Sequence, residues 1–543
     1  MGLQLDRPTI NDQQRLENAP FRVWEGRGGH AGSYFDAVTP PASSIDDAAG
    51  LRVRRLPELY DAEWVFAHLY AESEWAFWLD TAMVSHGRFS FIGDSAGPLG
   101  FAVTYDVRDR HVRLVDRGRV DVFEESIFDY LTRQLASRRQ AYGELPFDFN
   151  CGFAGYFGYE LKAECDGSQA HESPLPDAAF VFADRLIAFD HLERCTWLVS
   201  LVSTADPRGA KRWFDEIERR LACLSTSDAV WSPSDAETVE FELRRGRERY
   251  LDDIDVCRDR LMAGETYEVC LTNKVVAPAL ADPLAVYRAL RRLNPAPYGA
   301  YLRLGDAAVL SSSPERFLRI DRDRWAEARP IKGTRRRGDS ASEDASLAEG
   351  LRSDAKTRAE NVTIVDLIRN DLGIVCEVGT VHVAELMEVE TYMSLHQLVS
   401  TVRGRLRDGV TVADAVRACF PPGSMTGAPK KRTMEILDQL EEESRGPYSG
   451  AIGYLGLGGA ADLSVAIRCI VNRGDSATIG CGGAIVLDSE PAAEYEEMLL
   501  KAWAPMRAID PGLLPRSAPV AATGADSVAG ARSGWTERAT RLR

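Results

Sequence analysis

Residues 450–488 read GAIGYLGL–GGAAD–LSVAIRCIV–NRGDS–ATIGCGGAIVLD, in which apolar runs with period-two alternation are separated by clusters of Gly, Asp, Asn and Ser. Side chains alternate across a strand, and such clusters mark tight turns, so the stretch predicts an antiparallel meander. Within it, LSVAIRCIV places Leu463, Val465, Ile467 and Cys469 on one face and Ser464, Ala466 and Arg468 on the other. An arginine flanked by small residues on a sheet face leaves room for an anion; the plain alternative is an arginine satisfied by a nearby carboxylate.

The meander runs into LDSEPAAEYEEMLLKAW, where Ser489 is the expected N-cap and Pro491 lies in the first helical turn. Tyr495, Met498, Leu499 and Ala502 form a buried stripe, and Glu494, Glu497 and Lys501 share another face. That second face is either a solvated salt-bridge ladder or a pair of hard oxygen ligands for Mg²⁺. A second helix, AKTRAENVTIVDLIRNDLG, is expected to pack through Val362, Ile364, Val365, Leu367 and Ile368 and to close at Gly373, with Glu360 near its start. Upstream, RERYLDDIDVCRDRLMAGE predicts a helix with Tyr250, Ile254, Cys257 and Leu261 on one stripe, broken at Gly264 and followed by a strand.

Further out, the chain has 543 residues, 45% hydrophobic and 27% charged, with a formal charge of −17. That is globular composition, and the acidic balance argues against a nucleic-acid partner. The ten cysteines form neither a C-x-x-C pair nor a zinc-spaced cluster and read as reduced thiols. No apolar segment near the amino terminus resembles a secretory signal or membrane anchor, so a cytoplasmic protein without membrane contact is expected. Composition divides the chain into an extension at 1–50, a first region at 51–230, a second at 240–510 and a tail at 511–543 that is expected to be disordered. The first region holds strand-like runs AFWLDTAM, GRFSFIGD and AFVFADRLIAFD, and a glycine-rich FNCGFAGYFGYELK whose glycines fit close strand approach. P-loop, nucleophile-elbow and metalloprotease motifs are lacking. What remains is a set of acids, an arginine and two lysines on separate elements, including Glu315 in SSSPERFL and Lys332 in RPIKGTRRRG, compatible with Mg²⁺-assisted chemistry on a small polyanion.

These motifs, together with LHQLVSTVRG, FPPGSMTGAPKKRTMEILDQLE and RGPYSGAIGYLG, resemble the chorismate-utilising enzymes over about 240–505, and GRFSFIGD and GYFGYELK extend the likeness into the first region. The resemblance implies an α+β fold in which two α/β subdomains bring antiparallel sheets together as a sandwich, with helices outside and the active site in a cleft. It implies that Glu360, Glu494 and Glu497 surround Mg²⁺ and that Glu315 is the acid protonating the departing 4-hydroxyl of chorismate. It also implies that Thr334, Tyr448, Arg468, Gly482, Gly483 and Lys501 contact substrate, Arg468 and Lys501 on the enolpyruvyl side.

In most branches of this family the loop corresponding to Pro330–Thr334 carries alanine, leaving a path for ammonia or water to C2 of the ring. Here the position is Lys332, as in the branch that makes 4-amino-4-deoxychorismate, where the lysine itself attacks C2 and ammonia then enters at C4. That resemblance implies a separate glutaminase subunit as ammonia source and a product destined for p-aminobenzoate and folate. An anthranilate- or isochorismate-forming enzyme, or a catalytically silent chorismate-binding subunit, is the alternative. A reactive lysine must lose its proton, and Arg335, Arg336 and Arg337, or Mg²⁺, are the cations expected to favour that. Three positions depart from relatives. Glu268 stands where water-using members carry lysine, Thr357 where many carry an acid, and Gln397 where many carry histidine, with His396 one residue earlier and given no catalytic role.

Overall fold

The computed structural model describes residues 48–83, 87–223, 239–392 and 395–513. Most of the 1–50 extension, the 224–238 stretch and most of the 511–543 tail lie outside these residues. Two antiparallel sheets of 12 strands each form the scaffold. This is the sandwich expected of an α+β fold, with two large apolar clusters built from the inner and outer sheet faces. One sheet contains Ala48–Leu56, Trp75–Asp80, Phe89–Asp94, Arg185–Asp190, Cys195–Ser203, Glu268–Pro278, Tyr298–Leu304, Ala307–Ser313, Cys469–Arg473 and Ser476–Ile485. The other contains Phe101–Asp106, Gly152–Phe157, Ala178–Ala183, Arg316–Ile320, Ile331–Arg336, Leu395–Arg405, Ala451–Gly456 and Ala461–Val465, among others. Both sheets draw strands from either side of residue 240: Trp75–Asp80 pairs with Tyr298–Leu304, and Gly152–Phe157 pairs with Ala451–Gly456.

The stretch at 450–488 is not one meander. Ala451–Gly456 and Ala461–Val465 form a hairpin in one sheet, and Cys469–Arg473 and Ser476–Ile485 form a hairpin in the other. The chain passes between sheets at Ala466–Arg468, where Arg468 has φ +48°, a left-handed conformation that lets a strand turn off its sheet. The single two-faced strand expected at LSVAIRCIV is therefore broken. The same happens at SSSPERFL, where Ala307–Ser313 and Arg316–Ile320 belong to opposite sheets, and at AFVFADRLIAFD, which divides at Asp184.

The glycines of residues 149–162 serve the packing expected of them. A Cβ on Gly155 would stand 2.0 Å from the Ala179 carbonyl oxygen of the neighbouring strand. The helix Arg247–Met262 buries Tyr250, Ile254, Cys257 and Leu261 as the stripe predicts. Ala355–Val375 starts at Asp354, whose carboxylate accepts from the Thr357 amide at 2.8 Å. It runs through Gly373 to end at Cys376, not at the glycine, because a lone glycine costs a helix only about 1 kcal/mol. Within it Ile364 and Val365 are buried, whereas Val362 is exposed. Pro491–Ile509 is capped by Glu490 rather than Ser489; the Ser489 hydroxyl instead donates to Glu494. Its Tyr495, Met498, Leu499 and Ala502 are buried.

Candidate active site

Two of the crossings lie side by side and frame a cleft. Val465 N–H donates to the Glu315 carbonyl at 3.0 Å, and Ser312 N–H to the Arg468 carbonyl at 3.2 Å. Glu315 thus sits on the seam between sheets, where strand pairing ends and a side chain can point into the gap. Its carboxyl is buried, and that burial pushes its pKa up to about 7 against the opposing influence of Ser424, Lys332 and Lys501. Burial, rather than neighbouring acids, holds the proton on Glu315. A cavity of about 20 Å³ adjoins it, bordered also by Asp371 and Ser424, room for about one water.

Lys332 is carried on Ile331–Arg336. The pairing of this strand with Leu395–Arg405 is irregular between Ile331 and Thr334. Gly333 has φ +86°, and a Cβ there would lie 2.4 Å from the Thr357 side chain. The irregularity turns Lys332 inward, 8% exposed, while Thr334, Arg335 and Arg336 are exposed. Lys332 Nζ donates to Glu268 Oε1, which comes from the opposite sheet. Burial alone lowers the pKa of this amine; the Glu268 carboxylate beside it, then Glu360, outweigh that and raise it. This corrects the expectation for the arginines. Arg336 pairs with Glu343, and Arg337 makes 2.8 Å bonds to Asp344, which also binds His396 at 2.9 Å. Arg336 and Arg337 hold the strand to the helix Ala341–Ser353, Arg335 is exposed, and the groups that set the Lys332 pKa are Glu268 and Glu360 instead.

Glu268 itself is 1% exposed, and its Oε2 has no hydrogen-bond partner among the described residues. Sequence reading registered Glu268 only as a departure from water-using relatives; its pairing with a residue 64 positions away has no local signature.

On the far side of Lys332, Glu360 is driven up to about 7, mainly by burial and then by Glu268 and Glu497 against the lysines. Lys356, one turn earlier, places its ammonium 2.7 Å from Glu494 Oε1 and 3.9 Å from Glu360 Oε1. Lys501 binds Glu497 Oε1 at 2.9 Å and the Gly482 carbonyl at 2.9 Å. Lys356 was absent from the sequence-based site, although its i,i+4 relation to Glu360 was there to read. Among the described residues no three acidic, histidine or cysteine side chains stand close enough to hold a metal. Glu494 and Glu360 nevertheless meet at one cation, the Lys356 ammonium, while Glu497 is held by Lys501, and carboxylate oxygens gathered around a cation are the donor type that suits a hard divalent ion.

Gly483 borders this group, since a Cβ there would meet Glu494 Oε2 at 3.4 Å and Lys501 Nζ at 3.8 Å. Tyr448 is buried with its ring over Gly480. Arg468 bonds the Asn294 side-chain oxygen at 2.9 Å. It makes no salt bridge among the described residues, and burial lowers its pKa. Of the two readings of Arg468, pairing with a carboxylate is the one the geometry does not supply.

The model of the chorismate binding enzyme family matches residues 98–507. The chain is 49% identical over 477 residues to an aminodeoxychorismate synthase of Streptomyces pristinaespiralis, covering 86% of this chain and 66% of that protein. It is 46% identical over 506 residues to an aminodeoxychorismate synthase of Streptomyces griseus, covering 91% and 69%. The chain therefore spans about two thirds of the length of these relatives. Anthranilate synthase component I from Streptococcus pneumoniae superposes with a TM-score of 0.68 at 29% identity, covering 78% of this chain and 92% of that one. With the sheet-crossing seam, most strands of both sheets and most of the chain inside the matched span, this protein belongs to the chorismate binding enzyme family.

Proposed function

We propose that this chain converts chorismate and ammonia to 4-amino-4-deoxychorismate. The observation that carries the reading is Lys332, a buried amine on a strand irregularity that faces the same cleft as the raised acid Glu315. The names of the relatives quoted above support it. Lys332 Nζ, as the neutral amine left when its ammonium proton passes to solvent, attacks C2 of the ring, the two double bonds shift by one position, the C4–O bond breaks as Glu315 gives its proton to the leaving hydroxyl, which departs as water, and the new C2–Nζ ammonium returns a proton to Glu315. Ammonia then forms a bond to C4, the double bonds shift back, and the C2–Nζ bond breaks to free the lysine. Hydroxide is a poor leaving group, and a positioned acid contributes roughly 10²–10⁴-fold to such a step.

Arg468, with no acid of its own, and Lys501 are placed to bind carboxylate on the enolpyruvyl side, and Tyr448, Thr334, Gly482 and Gly483 complete the substrate contacts in this reading. Glu360, Glu494 and Glu497 would hold Mg²⁺, with Lys356 swinging aside. When bound, the ion supplies positive charge to anchor the ring carboxylate.

Ammonia is assigned to a separate glutaminase subunit. Cys151 and Cys481 lie in the glycine-flanked sequences and are buried thiols, pushed well up in one case and up to about 12 in the other, unlike a glutaminase nucleophile. His191 bonds Ser90 at 2.8 Å. We place the protein in the cytoplasm, in p-aminobenzoate and folate synthesis, in keeping with ten unpaired cysteines.

The test is to incubate the chain with chorismate and Mg²⁺ without ammonia, and to map any covalent adduct by intact mass and peptide analysis. An adduct on Lys332, resolved to 4-amino-4-deoxychorismate when ammonium is added and not when glutamine is added, is the expected result. Anthranilate as the main product refutes the reading. Glutamine turnover by the chain alone refutes the separate glutaminase.

A further inference from the structure

The free oxygen of Glu268 is the buried polar atom of the cleft that the mechanism above leaves without work. Oε1 holds Lys332. Oε2 of the same carboxylate is buried and makes no hydrogen bond among the described residues, on a side chain 1% exposed. A buried acceptor of this kind costs about 1–3 kcal/mol when left unpaired, so the position calls for a donor. The ring chemistry says which donor. Two nitrogens must meet one ring in a 1,3 relation, Lys332 at C2 and ammonia at C4, and the two oxygens of one carboxylate are set apart by a comparable span. Strand Glu268–Pro278 fixes this carboxylate from the opposite sheet, with the Thr266 hydroxyl donating to the Glu268 carbonyl at 3.0 Å and Val269 paired to Gly427.

We propose that Glu268 is the ammonium-binding residue of this enzyme, seating the incoming amine on Oε2 while Oε1 holds Lys332, and relaying a proton from the first nitrogen to the second. This rests on the reading given under Proposed function. The relay balances. Ammonium bound at Oε2 gives one proton to Glu268 and becomes ammonia. Glu268 passes that proton to the secondary amine joining Lys332 to C2. Ammonia forms the C4–N bond with its lone pair, the diene shifts, and the protonated C2–N bond breaks to release Lys332 as a neutral amine. The product leaves with an ammonium at C4, and Glu268 returns as carboxylate. The charged side chains facing this pair are Glu360 beside Lys332, with Glu315 and Glu497 within electrostatic reach of the same amine. Each of these has a role or a lysine partner of its own, which leaves Glu268 Oε2 for the new amine.

Glu268→Gln keeps an acceptor for Lys332 and replaces the second oxygen by an amide N–H₂, which cannot accept from ammonium. With ammonium chloride as the varied substrate at saturating chorismate and Mg²⁺, its KM is expected to rise about tenfold or more, as loss of a hydrogen bond to a charged group requires. The chorismate KM and the melting temperature should stay near wild type. Glu268→Asp retains the acceptor and is expected to recover part of the ammonium KM, which a residue needed only for packing does not do. It also serves as the reporter where the Gln variant does not fold. Ammonium KM within about twofold of wild type in a folded variant, with product still aminated at C4, overturns the seat and leaves the functional reading standing. A wild-type product aminated at C2 overturns both.

Discussion

In the cavity of about 670 Å³ beside Tyr298 and Phe89, lined from both sheets, every arginine is paired with an acid. Arg88 binds Asp190 at 2.9 and 2.7 Å. Arg316 binds Asp462 at 3.0 and 3.1 Å and Glu327 at 2.9 Å, and Asp148 takes Arg319 at 3.2 Å and Arg322 at 2.9 Å. In the cleft around Lys332 charges are shared unevenly. One carboxylate oxygen has no donor, one arginine has an asparagine instead of an acid, one ammonium stands between two glutamates, and two carboxyls are raised to about 7. Paired charges fix a shape, and unevenly shared ones mark where further charged atoms are to be accepted.

The difference is open to attack in order of effect. Lys332→Ala should lower formation of 4-amino-4-deoxychorismate by more than about a thousandfold, since a covalent step cannot be bypassed at that rate. By opening the loop it should also let anthranilate-type or isochorismate-type products appear, which chromatography of the reaction mixture resolves. Glu315→Gln should cost roughly 10²–10⁴-fold in kcat. Glu315 acts in its acid form, and its raised pKa of about 7 means that form is lost as pH rises. The wild-type rate should therefore fall above about neutral pH through this group, and the variant should lose that limb of the profile. Glu360→Gln or Glu497→Gln should raise the Mg²⁺ concentration giving half-maximal rate by about 10–100-fold, measured by titrating the metal at fixed chorismate. On the other side of the comparison, Asp148→Asn leaves Arg319 and Arg322 without their shared acid. Both arginines are more than a third exposed, so a loss of only about 1–2 kcal/mol is expected in denaturant melts, with chorismate kinetics within about twofold of wild type. A large kinetic effect there, or a wild-type rate for Lys332→Ala, would erase the distinction.

Sequence reading reached the strands and helices wherever one period ran undisturbed, as for Tyr250 to Leu261 and for Tyr495 to Ala502. It missed the crossings because alternation continues through LSVAIRCIV, and AFVFADRLIAFD reads as one apolar run interrupted only by Asp184 and Arg185, while the change of sheet is a backbone event at Arg468 and Asp184. A non-glycine residue with positive φ carries no mark in the sequence. Glu315, Lys332 and Glu360 were legible as candidates from their motifs. Their electrostatics were not, because they depend largely on side chains brought from other elements: Glu268 for the lysine, Glu494 for the Lys356 beside Glu360, and the helix Ala341–Ser353 for Arg336 and Arg337. A run of three arginines next to a reactive lysine reads as one field on a line of text, whereas on a strand edge it faces solvent and its own counter-ions.

The pairing of Trp75–Asp80 with Tyr298–Leu304 also sets a timetable for the ribosome. Gly299 follows its partner Asp80 by 299 − 80 = 219 positions, which take roughly 10–45 s to synthesise at ~5–20 residues per second. For that interval an apolar strand edge of the first sheet has no neighbour and is open to the wrong one. Nascent chains arrested before residue 298 should accordingly be cleaved by protease within 75–80 unless a chaperone is bound, and chains arrested beyond 304 by the length of the exit tunnel should resist. Equal resistance in both would mean that the early strands find a stable arrangement without their later partner.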